Sequence, residues 1–374
     1  MKLTIDRNVL LEALQLAVNI SPKTTSDPII NNILIDTIGD NGISIKATNH
    51  DNSVFGEFDA KVTEPGNICV GTSKLFNLVR ELRENQVQIE STPQNWVYLT
   101  CGNSNIKLPG IEPDKFPNVE FKNLERKFSI PPEILKNAID RTFFAIGENE
   151  SRKNLMGLNL QILSSDQISW KGADSFRICQ YNSTFDSSLP QEGNIIIPKK
   201  SLLEIKRVLE FGEKDIEASF DDNIFQIFTS SIKYKTRLIE AEFPNLDRLV
   251  NNPSLHIVSL PKMELLNAVR ILNTLTEGDQ KSVMKLTFED SRMMLESQKL
   301  DFGEGNDVIF CDYTGEKMSI GLNIRFFLEA IQSFDSSSDE NLQLCITKPE
   351  APFIVQCEEW ENYKTVLMPV RIQW

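Results

Sequence analysis

The chain has 374 residues, of which 40% are apolar and 25% are charged, and its net charge is −14. This composition is ordinary for a globular protein of two or three domains. The acidic balance argues against a general attraction to nucleic acid or to an anionic membrane, although it does not tell where the positive residues gather. No apolar run approaches the length of a membrane span, and the segment MKLTIDRN lacks the basic start and the apolar core of a signal peptide.

The cysteines indicate a reducing environment. None of them forms a C-x-x-C pair, and most lie within apolar, strand-like runs. We therefore interpret them as reduced core residues of a cytoplasmic protein. The six are Cys69, Cys101, Cys179, Cys311, Cys345 and Cys357.

The first predicted element is an amphipathic helix that recurs twice further along the chain. Its first copy lies in LTIDRNVLLEAL. The second follows a short strand and the pair Pro131 and Pro132, which suit a first helical turn because the N–H that proline lacks has no partner there. The third lies in VSLPKMELLNAVRILNTL. The copies are roughly 125–130 residues apart, about one domain length. The apolar positions that share a face are Val9, Leu10, Ala13, Leu14 and Val18, then Ile134, Leu135, Ala138, Ile139 and Phe143, then Leu265, Val269, Leu272 and Leu275.

Each of these helices is followed by the same series of elements. A hairpin comes first, in NILIDTIGDNGISIKAT, LNLQILSSDQISWKGA and MKLTFEDSRMMLES. A short strand then enters a second helix, for which Ser73 and Asn323 are the expected N-caps in two of the three copies. Another hairpin follows, and YKTRLI and YKTVLM mark equivalent last strands in the second and third copies.

This order predicts a threefold repeat of an α+β unit with antiparallel sheets, because each unit carries two helices among many half-buried strands. The polar stretches KNLERK and NNPS place the boundaries near residues 125 and 250. We therefore expect domains at residues 1–125, 126–250 and 251–374.

No pattern of catalytic residues accompanies the repeat. The chain has two histidines, His50 and His256, and lacks phosphate-loop, nucleophile-elbow, zinc-protease and dinucleotide motifs. We expect neither an enzyme nor a metal or other cofactor. Lysines and arginines recur on or beside the predicted helices, which would suit a phosphate backbone bound without base specificity, although solvated helix surfaces carry the same residues.

With the threefold repeat, three further features point to one family: MKLTIDRNVLLEAL at the start, FPN at Phe116–Asn118 and LMPVRI near the end. On these features the whole chain resembles the bacterial replicative sliding clamp, the beta subunit of DNA polymerase III. The resemblance implies three repeated DNA-clamp domains per subunit and a head-to-tail homodimer, with helices lining the inside and sheets forming the outside of a ring. A unit of about 125 residues is roughly 30 Å wide, so six units would leave an opening wide enough for duplex DNA.

The resemblance also implies which partners the ring meets. These are encircled double-stranded DNA, the alpha subunit of DNA polymerase III, the clamp loader and other proteins with a clamp-binding motif, but no membrane. The implied DNA contacts are Lys23, Arg152, Lys153, Lys199 and Lys200, expected to act as flexible cations that hold phosphates weakly.

A partner-peptide cleft is implied between the second and third domains. We expect an apolar floor there, with arginines at positions 177, 248 and 371 on its rim. Two features depart from the family: Ser175-Phe176-Arg177 stands where a Gly-His-Arg run is usual, and Gln373 and Trp374 extend the chain past Ile372. The implied cleft residues are Leu155, Gly157, Ala173, Ser175, Phe176, Arg177, Ile178, Pro244, Arg248, Leu249, Val366, Met368, Pro369, Val370, Arg371 and Ile372.

The subunit interface is expected between the first domain of one subunit and the third domain of the other. It would join an edge strand at Ile106 and Leu108, with Lys74 beside it, to the exposed end of the third-domain helix at Leu272 and Leu275. Acids such as Asp301 and Glu304 would face Lys74 and Lys107. The alternative to a clamp is a three-repeat scaffold for proteins without nucleic acid, and a hydrolase ranks third because its motifs are absent.

Overall fold

The computed structural model describes residues 1–22, 27–148, 151–186, 188–212, 214, 216–275, 283–297, 303–334 and 341–371. They form two compact units, one of Met1–Lys136 with Lys200–Ile239 and one of Asn137–Lys199 with Glu240–Trp374. These units divide the middle repeat between them, because strands of neighbouring repeats pair into continuous sheets inside each unit. The predicted domain boundaries near 125 and 250 therefore stay a prediction.

The helices of the described residues include the six that the repeat predicts. A four-residue helix, α5, stands apart from that pattern. The helices are α1 (Arg7–Val18), α2 (Thr72–Glu81), α3 (Pro132–Thr142), α4 (Lys199–Leu209), α5 (Asp247–Val250), α6 (Lys262–Thr274) and α7 (Ile324–Gln332).

The strands occur in the three sets that the repeat predicts, and all their pairings are antiparallel. The strands up to residue 130 are β1 (Lys2–Asp6), β2 (Asn32–Ile38), β3 (Gly42–Thr48), β4 (Asn52–Asp59), β5 (Lys61–Glu64), β6 (Asn67–Gly71), β7 (Gln86–Ser91), β8 (Trp96–Cys101), β9 (Ser104–Ile111) and β10 (Arg126–Ile130). Those that follow are β11 (Gly157–Ile162), β12 (Gln167–Ala173), β13 (Arg177–Thr184), β14 (Asn194–Pro198), β15 (Ile216–Phe220), β16 (Ile224–Phe228) and β17 (Ile232–Arg237). The last repeat holds β18 (His256–Pro261), β19 (Val283–Glu289), β20 (Arg292–Ser297), β21 (Asn306–Phe310), β22 (Met318–Asn323), β23 (Asn341–Ile346), β24 (Phe353–Cys357) and β25 (Tyr363–Leu367).

One long sheet forms the first unit, and two sheets form the second. The first has the order β10-β15-β16-β17-β4-β3-β2-β6-β9-β8-β7-β1-β5, in which β17 joins β4 in the register Ile232↔Gly56. The second unit contains β14-β11-β12-β13-β25-β24-β23-β18 and β21-β20-β19-β22. The predicted hairpins after each first helix are confirmed as β2–β3, β11–β12 and β19–β20.

Helix caps show one prediction confirmed and one wrong. Asn323 caps α7, since its side-chain oxygen accepts a hydrogen bond from Phe326 N at 3.1 Å. Ser73 does not cap α2, which already begins at Thr72 and has Gly71 as a cap without a side-chain bond. The Thr72 side chain is fully buried and its hydroxyl donates to Ser21 Oγ at 2.9 Å. The helix therefore starts two residues earlier than a cap at Ser73 would place it.

The six cysteines are free and buried, as predicted. Burial raises the pKa of the Cys69 thiol to about 12, and burial likewise raises the pKa of Cys179 to about 12. Cys179 also belongs to a buried polar chain, in which its sulfur lies 3.6 Å from the hydroxyl of Thr365, and that hydroxyl in turn donates to Tyr363. These thiols are core residues rather than reactive groups.

Candidate functional site

Two of the predicted cleft segments meet by strand pairing within the second unit. β13 and β25 are antiparallel neighbours, with Arg177 opposite Leu367 and Ile178 opposite Val366. The ladder continues beyond the strand end, where the N–H of Met368 donates to Phe176 O at 2.8 Å. The loop before β13 and the segment after β25 therefore lie side by side.

The base of this region is fully buried. Leu155, Ala173, Ile178 and Val366 are between 0% and 3% exposed, so they support the site from beneath. The N–H of Gly147 ties two of them together by donating to Leu155 O at 3.0 Å and to Ala173 O at 3.2 Å. The apolar surface open to a partner is offered by other members of the predicted set: Phe176, which is 53% exposed, and the half-buried Pro244, Leu249, Met368, Pro369 and Val370.

Gly157 has a structural reason for being glycine. A Cβ on this residue would lie 2.5 Å from Ile197 O, because β14 approaches β11 closely at this point. Gly157 is buried, and it lets two strands pack without offering a surface to a partner.

Arg177 does not lie at the rim, so that part of the prediction is wrong. Arg177 is 8% exposed. Its Nε donates to Asp174 at 3.0 Å, and its guanidinium also donates to Glu329. The same guanidinium lies over the rings of Phe326, at 4.2 Å, and Phe144, at 5.3 Å. Two carboxylates and two aromatic rings thus hold Arg177 inside the unit, where it fixes the loop that carries Ser175 and Phe176.

Phe326 lies beside the predicted cleft residue Phe176, and the sequence analysis did not identify it. Its ring centroid is 6.0 Å from that of Phe176, and both rings are partly exposed. The signal was present in the Phe326-Phe327 pair of α7: only Phe327 falls on the buried face of the helix, so the adjacent aromatic ring must point elsewhere.

The last described residues reach the same region. The N–H of Val370 donates to Gly321 O at 2.9 Å, which joins the chain end to β22. Arg371 is exposed, and Ile372, Gln373 and Trp374 lie outside the described residues. An exposed arginine at this point can serve the rim role that Arg177 does not.

Helix α5 carries two further cleft residues and is held by a lysine that the sequence analysis also missed. Nζ of Lys171 donates to Asp247 at 2.7 Å and to Gln161 at 3.2 Å, and the Lys171 side chain is 5% exposed. Asp247 is the first residue of α5, which contacts β25 and presents the exposed Arg248 and the half-buried Leu249.

Replacing Asp247 with asparagine should leave the buried Lys171 ammonium without its charged partner. Hydrogen bonds to charged groups contribute about 1.5–3 kcal/mol, so we expect a loss of this size in the free energy of unfolding. Chemical denaturation of the full chain measures it. The matched control is Glu217→Gln, which removes the exposed pair with Lys127 at 3.9 Å and should cost under about 1 kcal/mol. Equal losses in the two variants would contradict the structural role of Lys171.

The predicted DNA-binding residues differ in how free they are. Arg152, Lys153 and Lys200 are exposed, and Lys153 and Lys200 form no ion pair or side-chain hydrogen bond with any described residue. Arg152 donates to Ser175 Oγ at 2.9 Å, which links it to the cleft loop. Lys23 lies outside the described residues.

Lys199 is not a flexible cation, which corrects the prediction. Its side chain is 13% exposed, and Nζ donates to Ile146 O and to Glu148 Oε1, both at 2.8 Å. Nζ also lies 4.8 Å from the centroid of the Phe143 ring. The hydrogen bond from Lys199 lowers the pKa of the Glu148 carboxyl. Lys199 therefore fastens the start of α4 to the segment after α3.

The predicted interface residues also divide by exposure. Lys74 is exposed and Ile106 and Leu275 are half-buried, whereas Leu108 and Leu272 are 3% and 1% exposed within their own units. The expectation that Leu272 is exposed is thus wrong: it shares the buried face of α6 with Leu265 and Val269. The exposed apolar side chains of this region are Ile271 at 60%, Val308 at 40% and Phe310 at 80%.

β9 and β21 each leave one strand edge open among the described residues. Over Ser104–Pro109, β9 pairs only with β8, since it meets β6 only at Gly110 and Ile111. β21 pairs only with β20 and ends the four-stranded sheet of the second unit.

None of the helices in the part of the chain that the structure describes has the length and apolar character needed to span a membrane. Among the same residues, no three His, Cys, Asp or Glu side chains cluster as a metal site.

Helix pairs backed by continuous antiparallel sheets are also the fold of solved sliding clamps. The DNA polymerase sliding clamp from Bacillus subtilis superposes with a TM-score of 0.91 at 22% identity, over 100% of both chains. The proteins called beta sliding clamp in Chlamydia pneumoniae and Chlamydia muridarum are 29% and 27% identical, and each alignment covers 100% of this chain and 99% of the relative.

Three family models match in order along the chain. They are the N-terminal domain of the DNA polymerase III beta subunit at residues 1–120, its central domain at 129–245 and its C-terminal domain at 251–371. The chain belongs to the DNA polymerase III beta subunit family. The α+β fold of three clamp domains is thereby confirmed.

Proposed function

We propose that the protein is a sliding clamp: a ring-shaped, non-catalytic processivity factor that encircles duplex DNA and tethers the replicative polymerase and other DNA-processing proteins. The observation that carries this proposal is the match of all three beta-subunit domain models, in order, over nearly the whole chain. We place the domains at residues 1–125, 126–250 and 251–374, and the protein in the cytoplasm, where replication takes place in bacteria.

In this proposal two subunits close a ring head to tail. Support comes from the two open edges, because β9 of one subunit and β21 of the other can pair and satisfy each other's backbone groups. The neighbouring charges are complementary: Lys107 is exposed on β9 and Lys74 is exposed beside it, whereas Glu304 lies before β21 and Asp307 lies on it. Lys74, Ile106 and Leu275 then contribute contacts at the interface, together with Ile271.

DNA is held by weak contacts to its phosphates. Arg152, Lys153 and Lys200 are the described cations that supply them, and Lys23 is the fourth by family resemblance. Long, hydrated ammonium groups such as those of Lys153 and Lys200 bind a phosphate without fixing one geometry. Contacts of this kind position the duplex and let it move, which sliding requires.

Partner proteins, including the alpha subunit of DNA polymerase III and the clamp loader, dock a short peptide on the cleft of the second unit. The exposed ring of Phe176 beside Phe326 and the flexible side chain of Met368 offer an apolar surface that can adapt to different peptides. Arg248 and Arg371 are exposed and can bind carboxylates or carbonyls at the rim.

Retention on circular DNA tests encirclement. A loaded ring should stay on nicked circular DNA in high salt and leave once the circle is cut, because topology rather than charge retains it. A protein held by phosphate contacts alone would lose about 10³-fold or more of its affinity over a modest rise in salt. Equal retention on linear DNA with free ends would contradict encirclement, and no retention on either DNA would favour the three-repeat protein scaffold.

A further inference from the structure

A cavity of about 470 Å³ opens in the second unit, away from the peptide cleft. Its walls come from α3, α6, the residues after α7 and the segment around Trp360. The described residues of the cleft do not line it. We asked what ligand its side chains would accept.

The side chains that line the cavity carry a net positive charge, although the chain as a whole is acidic. Arg141, Lys262 and Arg270 line it, and the only acid among the described lining residues is Asp140. Lys262 is 3% exposed, and its Nζ donates to Phe334 O at 2.8 Å, so a positive charge is held in the wall. Arg270 is exposed and makes no ion pair or side-chain hydrogen bond with the described residues, which leaves its guanidinium available to a ligand.

The second arginine is held in place by aromatic rings. The guanidinium carbon of Arg141 lies 4.1 Å from the ring centroid of Trp360 and 4.8 Å from that of Tyr181. The buried hydroxyl of Tyr363 donates to Arg141 O at 2.8 Å, which fixes the backbone at the same point. A cation whose position is already set loses little freedom when an anion binds.

We infer that this cavity binds a phosphate group. Three cations against one carboxylate favour an anion, and the guanidinium of Arg270 suits the oxygens of a phosphate. The Asn137 and Gln332 amides, which also line the cavity, add neutral donors. The source of the phosphate rests on the proposed function: if the helices line the ring, α3 and α6 present this cavity to the backbone of the encircled duplex. A free nucleotide carries the same chemistry and is the other source.

The test measures binding of the full-length protein to a short fluorescent duplex at several salt concentrations. If Arg270 contacts one phosphate, Arg270→Gln should reduce the slope of log K against log salt by about 0.9 and weaken binding roughly eightfold near 0.1 M salt. The control is Lys61→Gln, which removes an exposed cation on β5 and should leave both quantities unchanged. Equal slopes and affinities for wild type and Arg270→Gln would overturn the assignment of duplex phosphate.

A second measurement identifies the source. Inorganic phosphate or ATP is titrated while tryptophan fluorescence is recorded, with Trp360→Phe identifying the signal of the cavity. Saturable quenching that Arg270→Gln removes would assign the site to a free phosphate compound, and a duplex effect without quenching would assign it to DNA. Absence of both effects overturns the inference. If the protein failed the retention test on circular DNA while Arg270→Gln still altered binding to the short duplex, the proposed clamp function would be rejected and the phosphate site would be retained.

Discussion

Replacing Ile271 with aspartate should convert the proposed dimer into single chains. Ile271 is 60% exposed on α6, next to the buried Leu272, and an interface at this end of the unit would cover it. Burial of an isoleucine contributes about 2 kcal/mol, and a closed dimer contains the contact twice. Association should therefore weaken by roughly a thousandfold, even before the cost of burying a carboxylate. Light scattering at micromolar concentration measures the mass.

The matched control is Leu203→Asp. Leu203 is 46% exposed on α4, so the substitution makes the same chemical change on another helix and should leave the dimer intact. A wild-type protein with the mass of one chain at micromolar concentration would rule out the proposed assembly. A dimer that survives Ile271→Asp would place the interface elsewhere.

Deleting Val370 to Trp374 should abolish binding of a polymerase-derived peptide while the dimer remains. The deletion removes the N–H of Val370 that bonds to Gly321 O and the exposed Arg371. Fluorescence anisotropy with a labelled peptide measures the affinity, and light scattering checks the assembly.

A shorter deletion serves as the control for the cleft. Removing only Gln373 and Trp374 leaves Val370 and Arg371 in place, so peptide binding should persist with a changed affinity. If the peptide bound equally well to the five-residue deletion, the site would lie elsewhere on the protein.

Much of the fold could be predicted because its signals are local and occur three times. The helical faces of α1, α3 and α6 and the paired hairpins follow from apolar spacing alone, and the structure confirms them. The α2 cap could not be predicted, since Thr72 is turned into the core by its bond to Ser21, more than fifty residues away.

The candidate site was predictable in its segments but not in the state of its charges. Arg177 and Lys199 look like surface cations in the sequence, yet each is held by carboxylates and rings that come from distant segments or from across a loop. The sequence analysis did not single out Lys171, which looks like an ordinary strand lysine. In the structure, however, this lysine fixes α5 through Asp247. Such pairings depend on tertiary contacts between residues far apart in the chain, which periodicity does not encode.

The open edge of β9 could pair with the identical edge of another newly synthesised chain, so the chain needs a feature that disfavours this pairing. An unpaired edge can pair with any other edge, including the same edge of a second copy, and such mispairing leads to aggregates. Lys107 lies on this edge, with its ammonium 4.0 Å from the ring centroid of Trp96 and 5.5 Å from that of Tyr98. Two β9 edges that met would bring lysine near lysine, whereas β21 offers Asp307. The same cation shields two exposed aromatic rings in the free chain, and in the proposed dimer it would favour the edge of β21 over a second copy of β9.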